Sequence, residues 1–181
     1  YNTEGFLSSV TNPASQTTLL AYDGAGRVTS QTLPDSRVIS YTYNADGKLA
    51  SITPPGKSPH AFTWNLFAWI ASYLPPYLGG TSPPATEYSY NNDGELTEIE
   101  RPNGDLIQFG YSSTTGQVNS ISIPTGQISV TQAGGLISET TSADGYKSAI
   151  SYQGYIPSSE SLVNTATATT IGTVAHPFGN D

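Results

Sequence analysis

The chain has 181 residues, and its 6 Lys and Arg stand against 14 Asp and Glu, for a formal net charge of −8 at pH 7. Binding to phosphate backbones requires clustered cations, so this balance argues against nucleic acid and anionic membrane surfaces as partners. The chain has no Cys, which excludes disulfides and thiolate metal sites.

Glycines recur along the chain at nearly constant spacing. The first three lie 21 residues apart and the last three follow at 22 and 19, in the series Gly5, Gly26, Gly47, Gly94, Gly116 and Gly135. An aromatic residue precedes most of them by four or five positions, at Tyr1, Tyr22, Tyr43, Tyr90 and Tyr111. A period of this length predicts a fold built from one recurring unit.

A second set of turn residues lies ten positions after most of these glycines. It comprises Ser15, Ser36, Gly104, Gly126 and Gly145, and seven residues further on stand Tyr22, Tyr43, Tyr111 and Tyr152. Segments such as Val38–Tyr43 and Asp105–Tyr111 are rich in β-branched and aromatic residues, which is typical of strands. Each repeat is therefore predicted to be one antiparallel hairpin, stabilised by its neighbours because a lone hairpin is marginal in water.

Two segments carry a resemblance to a known family. Tyr22-Asp23-Gly24-Ala25-Gly26-Arg27-Val28 and the stretch from Tyr41 to Leu49 resemble the Rhs/YD repeat, and the similarity extends over about residues 1–56 and 88–156. Members of that family include bacterial Rhs toxins, toxin-complex C components, wall-associated proteins and, more distantly, teneurins. The resemblance implies an all-β fold in which tandem hairpins stack into a curved or spiralling strip, as a fragment of a larger shell.

The predicted organisation has four parts. Three YD units cover 1–56, a Pro- and aromatic-rich insertion covers 57–87, further units cover 88–156, and 157–181 is a Ser/Thr-rich degenerate repeat or tail. The insertion breaks the period and is interpreted as a long connection whose aromatic residues pack onto the sheet. The alternative is a contact patch for a partner, formed by Phe62, Trp64, Phe67, Trp69 and Tyr73. The tail is either a linker or, by its alternation, a further strand.

No residue is predicted to be catalytic, cofactor-binding or metal-binding, and the chain is not expected to be an enzyme. The candidate carboxylates for glycoside hydrolysis lie at turn positions, where Asp serves backbone geometry; they are Asp46, Asp93, Asp144 and Glu95. His60 and His176 lack a nucleophile motif and are far apart in sequence. The segment 91–94 lacks the alternating acidic ligands of a calcium loop.

The sequence therefore predicts a structural segment of a larger bacterial Rhs-like protein, secreted or at the cell surface, that encloses or presents a toxin. The chain does not begin with Met, so we expect a fragment or a processed product. It has no apolar run of transmembrane length. Its expected partners are the flanking repeats, an enclosed toxin domain, and other copies through open β-edges. The alternatives are an adhesion or carbohydrate-binding module that uses Trp64 or Trp69, and a self-assembling surface filament.

Overall fold

The computed structural model describes residues 1–77, 79 and 84–176, and every regular element in these ranges is a β-strand. The chain divides into two compact units, Tyr1–Tyr88 and Ser89–Asp181. Within the described ranges there is no helix of the length and apolarity needed to cross a membrane. The all-β prediction from the sequence is confirmed.

The first unit is an antiparallel meander in which each strand pairs with the next one along the chain. Its strands are β1 (Ser9–Thr11), β2 (Thr17–Tyr22), β3 (Val28–Thr32), β4 (Val38–Tyr43), β5 (Leu49–Thr53), β6 (His60–Trp64), β7 (Ile70–Leu74) and the beginning of β8 (Thr86–Tyr90).

The second unit repeats this arrangement, again with antiparallel pairing between consecutive strands. Its strands after the end of β8 are β9 (Leu96–Glu100), β10 (Leu106–Tyr111), β11 (Val118–Ile123), β12 (Gly126–Ala133), β13 (Leu136–Ser142), β14 (Tyr146–Gln153), β15 (Ile156–Asn164) and β16 (Thr169–Ala175). The predicted tandem antiparallel hairpins are thus confirmed in both units.

The periodic glycines lie at one set of turns, where the backbone needs the left-handed region. In the β2–β3 turn, Gly26 has φ +77° and its amide donates to the carbonyl oxygen of Asp23 at 3.0 Å. The amide of Asp23 donates to the carbonyl oxygen of Arg27 at 2.9 Å, which closes the loop. A positive φ excludes most side chains on steric grounds, and this explains why glycine recurs at this position.

The period continues through the stretch that the sequence analysis treated as an insertion. Strands β6 and β7 form a hairpin there, and Ala68 lies at its turn with φ +65°, 21 residues after Gly47. The prediction of a long connection that breaks the period is wrong for residues 60–74. It failed because Ala68 adopts the left-handed conformation that glycine provides elsewhere, and Trp64 stands where the repeat has tyrosine. Residues 78 and 80–83 of the predicted insertion lie outside the described ranges.

The Ser/Thr-rich tail forms strands rather than a linker. Strand β15 continues through Asn164, and β16 pairs with it as far as Ala175. Every residue of β16 is exposed. Residues 177–181 lie outside the described ranges.

In the first unit the two faces of the sheet differ in chemistry. Residues opposite each other on antiparallel strands share a face, and one face carries the pairs Tyr41 with Ile52 and Phe62 with Tyr73. The other face carries hydroxyl pairs, among them Thr63 Oγ1 to Ser72 Oγ at 2.7 Å. Among the described residues no hydrophobic side chain is fully buried. The sheet is therefore stabilised by lateral contacts between strands and not by a closed core.

Candidate functional site

A hydrogen bond from an aromatic side chain links consecutive hairpins. Five of these hydrogen bonds reach a backbone carbonyl oxygen 15 residues earlier, at 2.7–2.8 Å. The pairs are Tyr22 with Leu7, Tyr43 with Val28, Trp64 with Leu49, Tyr111 with Leu96, and Tyr152 with Ile137. We refer to these contacts as the inter-hairpin hydrogen bonds.

Their placement follows from the antiparallel topology. Tyr43 ends β4 and Val28 begins β3, so the hydrogen bond joins the glycine-turn end of one hairpin to the same end of the next. The acceptor is the apolar residue two positions after the glycine, which explains why the aromatic and the glycine keep a fixed spacing in the sequence.

The residue after the aromatic shapes the turn. The side-chain oxygen of Asp23 accepts hydrogen bonds from the amides of Ala25 and Arg27, both at 3.0 Å. At four other turns, an asparagine Oδ1 accepts the same two hydrogen bonds, from the amides of the second and the fourth residue after it. These asparagines are Asn2, Asn44, Asn65 and Asn91. Asn and Asp are favoured here because their short side chains satisfy nearby backbone donors.

At Gly5 and Gly26, the residue after the glycine packs against the following hairpin. The Phe6 ring stacks on Tyr22 with centroids 5.0 Å apart, and the Arg27 guanidinium carbon lies 4.6 Å from the centre of the Tyr43 ring. A Cβ added to Gly26 would lie 2.7 Å from Cζ of Phe6. Gly26 is therefore needed for space as well as for its φ.

The pKa values of Asp23 at a turn and of Tyr111 at the end of β10 are shifted. Hydrogen bonds from the Arg27 side chain and then its backbone amide hold the pKa of Asp23 below its ordinary value of 3.8. Burial, and to a lesser extent the charge of Glu95, raises the pKa of Tyr111 above 10.0. Both shifts belong to groups that stabilise the repeat.

An aromatic hollow of about 480 Å³ lies on the apolar face of the first unit. The imidazole Nδ1 of His60 lies 2.7 Å from the hydroxyl oxygen of Tyr73, and the Phe62 and Tyr73 rings stack with centroids 5.4 Å apart. Every residue around the hollow is half-buried. The lining is Ile52, Pro54, His60, Phe62, Ile70, Tyr73 and Tyr88, which we call the aromatic hollow.

The five aromatic residues predicted as a contact patch take part in three different contacts. Phe62 and Tyr73 line the aromatic hollow, and Trp64 donates one of the inter-hairpin hydrogen bonds. Phe67 and Trp69 stack on each other at the β6–β7 turn, with ring centroids 5.1 Å apart.

The predicted repeat-defining glycines all have positive φ, namely Gly5, Gly26, Gly47, Gly94, Gly104, Gly116, Gly126 and Gly145. Of the tyrosines, Tyr22, Tyr43, Tyr111 and Tyr152 donate the inter-hairpin hydrogen bonds, Tyr90 ends β8, and Tyr1 is largely exposed. Sequence reasoning missed the roles of Trp64, Asn65, Ala68 and Gln132. The pair Trp64-Asn65 could have been found, because it follows Tyr43-Asn44 by 21 residues.

Gln132 fills the aromatic position in the most degenerate repeat. Its side-chain amide donates to the carbonyl oxygen of Val118 at 3.1 Å, 14 residues back. A polar side chain of sufficient length can therefore replace the aromatic ring as donor. In the described part of the chain, no group of three or more His, Asp or Glu residues is placed to hold a metal ion.

Comparisons with known proteins agree with this geometry. Residues 1–35 and 22–58 match the family model of the RHS repeat. No curated protein sequence matches the chain.

Among solved structures, the crystal structure of TcdB2-TccC3-Cdc42 superimposes with a TM-score of 0.69 at 18% identity, over 91% of this chain and 10% of that one. The Tc holotoxin pore of Photorhabdus luminescens gives 0.67 at 17% identity, over 88% and 9%. The likeness shows the fold, and the chain spans about a tenth of the length of the chains it matches. Residues 1–58 therefore carry RHS repeats, and the fold of the described chain is the one seen in these toxin-complex structures.

Proposed function

We propose that the chain is a structural segment of a larger bacterial Rhs-like protein, secreted or at the cell surface. In this proposal its hairpins form part of the wall of a β-shell or scaffold that encloses or presents a toxin. The RHS repeats in residues 1–58 support it, as does the fold shared with much longer chains of toxin complexes. The partners are then the flanking repeats and the enclosed or presented domain.

The inter-hairpin hydrogen bonds are the observation that carries the proposal. Each of them ties a hairpin to the one before it through a side chain, in addition to the strand pairing. Because no hydrophobic residue in the described ranges is fully buried, stability comes from lateral repetition. A wall that extends by adding hairpins needs this kind of stability.

The proposal gives the chain no chemical step. A carboxylic acid that serves as a general acid near neutral pH needs a raised pKa. The pKa of Asp23 and that of Asp35 are both lowered, by hydrogen bonds to Arg27 and Arg37 respectively. These two carboxylates act as acceptors and ion-pair partners at turns.

A carbohydrate-binding role has less support. Tryptophans that bind sugars offer a free ring face and an available N–H, but the indole N–H of Trp64 donates to the carbonyl oxygen of Leu49. Binding on a glycan array that is lost in Trp69→Ala but kept in Trp64→Tyr would favour this alternative.

The test uses the longer polypeptide that contains residues 1–181. Limited proteolysis with mass mapping should leave the repeats intact and protect a further domain, and electron microscopy should resolve the repeats as a wall beside that domain. In a variant with Tyr22→Phe and Tyr43→Phe, the protease should digest the repeats and the further domain earlier than in a variant with Tyr41→Phe. Complete digestion of all other domains beside intact repeats would contradict enclosure, and a polypeptide composed of repeats alone would contradict the proposal as a whole.

A further inference from the structure

The turn between β6 and β7 presents two apolar side chains to solvent. Leu66 is 101% exposed and Phe67 is 70% exposed. The corresponding positions of the two preceding glycine turns hold Gly24 with Ala25 and Ala45 with Asp46. We call Leu66 and Phe67 the apolar tip.

The backbone holds the apolar tip in a fixed position. The side-chain oxygen of Asn65 accepts from the amides of Phe67 and Trp69, both at 3.0 Å. The amide of Ala68 donates to the carbonyl oxygen of Asn65 at 3.0 Å, and the Phe67 ring stacks on Trp69. Because the turn is already ordered, its backbone loses little further entropy when a partner covers the two side chains.

The aromatic hollow lies in the same unit and has matching chemistry. Its lining contains no Lys, Arg, Asp or Glu, and none of its residues is fully buried. A volume of about 480 Å³ is within the range of pockets that receive ligands. The aromatic hollow is thus a concave surface of half-buried residues without Lys, Arg, Asp or Glu. The apolar tip is a convex surface that is also without charge.

We propose that the apolar tip of one copy of this chain docks in the aromatic hollow of a second copy. Leu66 is fully exposed, so the tip does not fill the hollow of its own chain. The contact joins two different surfaces and leaves one tip and one hollow unused on each pair. Such heterologous contacts produce open-ended assemblies rather than closed dimers.

The contact is expected to be weak, because two side chains cover far less area than a standard protein interface. Sedimentation velocity of the full chain is therefore followed up to about 1 mM, the range in which such contacts are detected. The average mass should rise steadily with concentration, without a plateau at the dimer. A chain that is monomeric at every concentration overturns the proposal.

Complementation identifies the two surfaces. The double variant Leu66→Asn with Phe67→Ser lacks the tip, and Tyr88→Lys places a cation in the hollow; each alone should associate at least tenfold more weakly. Mixed in equal amounts, they should form a dimer and nothing larger, because one intact tip and one intact hollow remain. Asp46→Ser, at the turn of the preceding hairpin, is the matched control and should associate like the unaltered chain.

Crosslinking tests the contact without altering the hollow. The chain has no Cys, so Phe67→Cys gives a single attachment point for a benzophenone label. Irradiation with an isotope-labelled second copy should yield crosslinks to peptides that contain Phe62, Tyr73 or Tyr88, and the label on Asp46→Cys should not. Association that survives loss of the tip, or crosslinks to β16 in place of the hollow, would assign self-assembly to the open strand edge and overturn the proposal.

Discussion

The indole Nε1 of Trp64 donates a hydrogen bond to the carbonyl oxygen of Leu49 at 2.7 Å. Tyr43 makes the same contact with Val28 at 2.8 Å, again 15 residues back, through a hydroxyl group in place of the indole N–H. The position therefore requires a donor at the end of a long, flat side chain, and the ring type is secondary. This requirement leads to a test of the inter-hairpin hydrogen bonds.

Tyr43→Phe should lower the free energy of unfolding by about 0.5–1.5 kcal/mol, because it removes one hydrogen bond and keeps the ring. Urea unfolding followed by circular dichroism measures the change. The matched control is Tyr41→Phe on the same strand, whose hydroxyl lies 3.4 Å from Gln31 and should contribute less. Equal effects of the two substitutions would contradict the role given to Tyr43.

Gly26→Ala should destabilise the chain more than Gly47→Ala. Both glycines have positive φ, which costs an alanine about 1–2 kcal/mol. At Gly26 the added Cβ would also lie 2.7 Å from the Phe6 ring, whereas at Gly47 it would lie 3.1 Å from Nη1 at the end of the longer Arg27 side chain.

Thermal unfolding of the two glycine variants gives the comparison. Adding Phe6→Ala to Gly26→Ala should restore the part of the melting temperature that is lost to the steric clash. Adding Phe6→Ala to Gly47→Ala should restore none of the melting temperature. Indistinguishable melting temperatures for Gly26→Ala and Gly47→Ala would show that φ alone sets the need for glycine.

The hairpin period was predictable from the sequence because glycine and tyrosine each have one physical role at a fixed place. Gly26 and Gly47 supply positive φ, and Tyr22 and Tyr43 supply the donor. The β6–β7 hairpin was missed because both roles there are filled by other residues, Ala68 and Trp64. The repeat is therefore defined by conformation and donor geometry, which several residue types satisfy.

The arrangement of the aromatic residues in residues 57–87 could not be predicted in the same way. Phe62 and Tyr73 meet across the sheet because β6 and β7 pair in one register, with a shift between Thr63 and Trp64. A register shift moves side chains along and across the strand, and composition does not encode it. The aromatic hollow follows from that register.

Ala68→Gly should stabilise the chain by about 0.5–1 kcal/mol. Relief of the left-handed strain at φ +65° exceeds the added entropy of glycine in the unfolded chain. Urea unfolding measures it, and Ala71→Gly within β7 is the control, because there the same substitution should destabilise. A loss of stability in Ala68→Gly would mean that the Ala68 methyl group makes a packing contact that outweighs the strain.

Asp23→Asn should reduce the amount of stability that the chain loses as the pH falls. The pKa of Asp23 is lowered in the folded chain, so the carboxylate stabilises the fold above its ordinary pKa of 3.8 and loses this effect as the pH falls through the lowered value. Asn keeps the turn acceptor, as it does at Asn44 and Asn65, but cannot pair with Arg27. The variant should therefore be slightly less stable at pH 7 and unchanged at the lowest pH.

Melting temperatures measured from pH 7 down to pH 2 give the comparison for Asp23. Arg27→Gln should flatten the profile in the same way, and the double variant should add little, because both changes remove one interaction. A profile for Asp23→Asn parallel to that of the unaltered chain would show that the ion pair, with Arg27 Nη2 2.7 Å from Asp23 Oδ2, does not contribute to stability.

Tyr111 should make the chain sensitive to alkali. Burial, and then the charge of Glu95, raises its pKa above 10.0, so the folded chain keeps this proton longer than the unfolded chain does. The stabilisation that the protonated Tyr111 gives the fold is complete below the pKa of the unfolded chain and is lost as the pH rises through the raised pKa of the folded chain.

Glu95→Gln should lower the pKa of Tyr111 yet leave it above 10.0, because burial is the larger cause. Glu98→Gln on β9 should change the pKa of Tyr111 less. Carbon NMR of labelled tyrosine, assigned with Tyr111→Phe, follows the titration. A Tyr111 pKa that is unchanged in Glu95→Gln would remove the charge of Glu95 as a cause and leave burial as the only one.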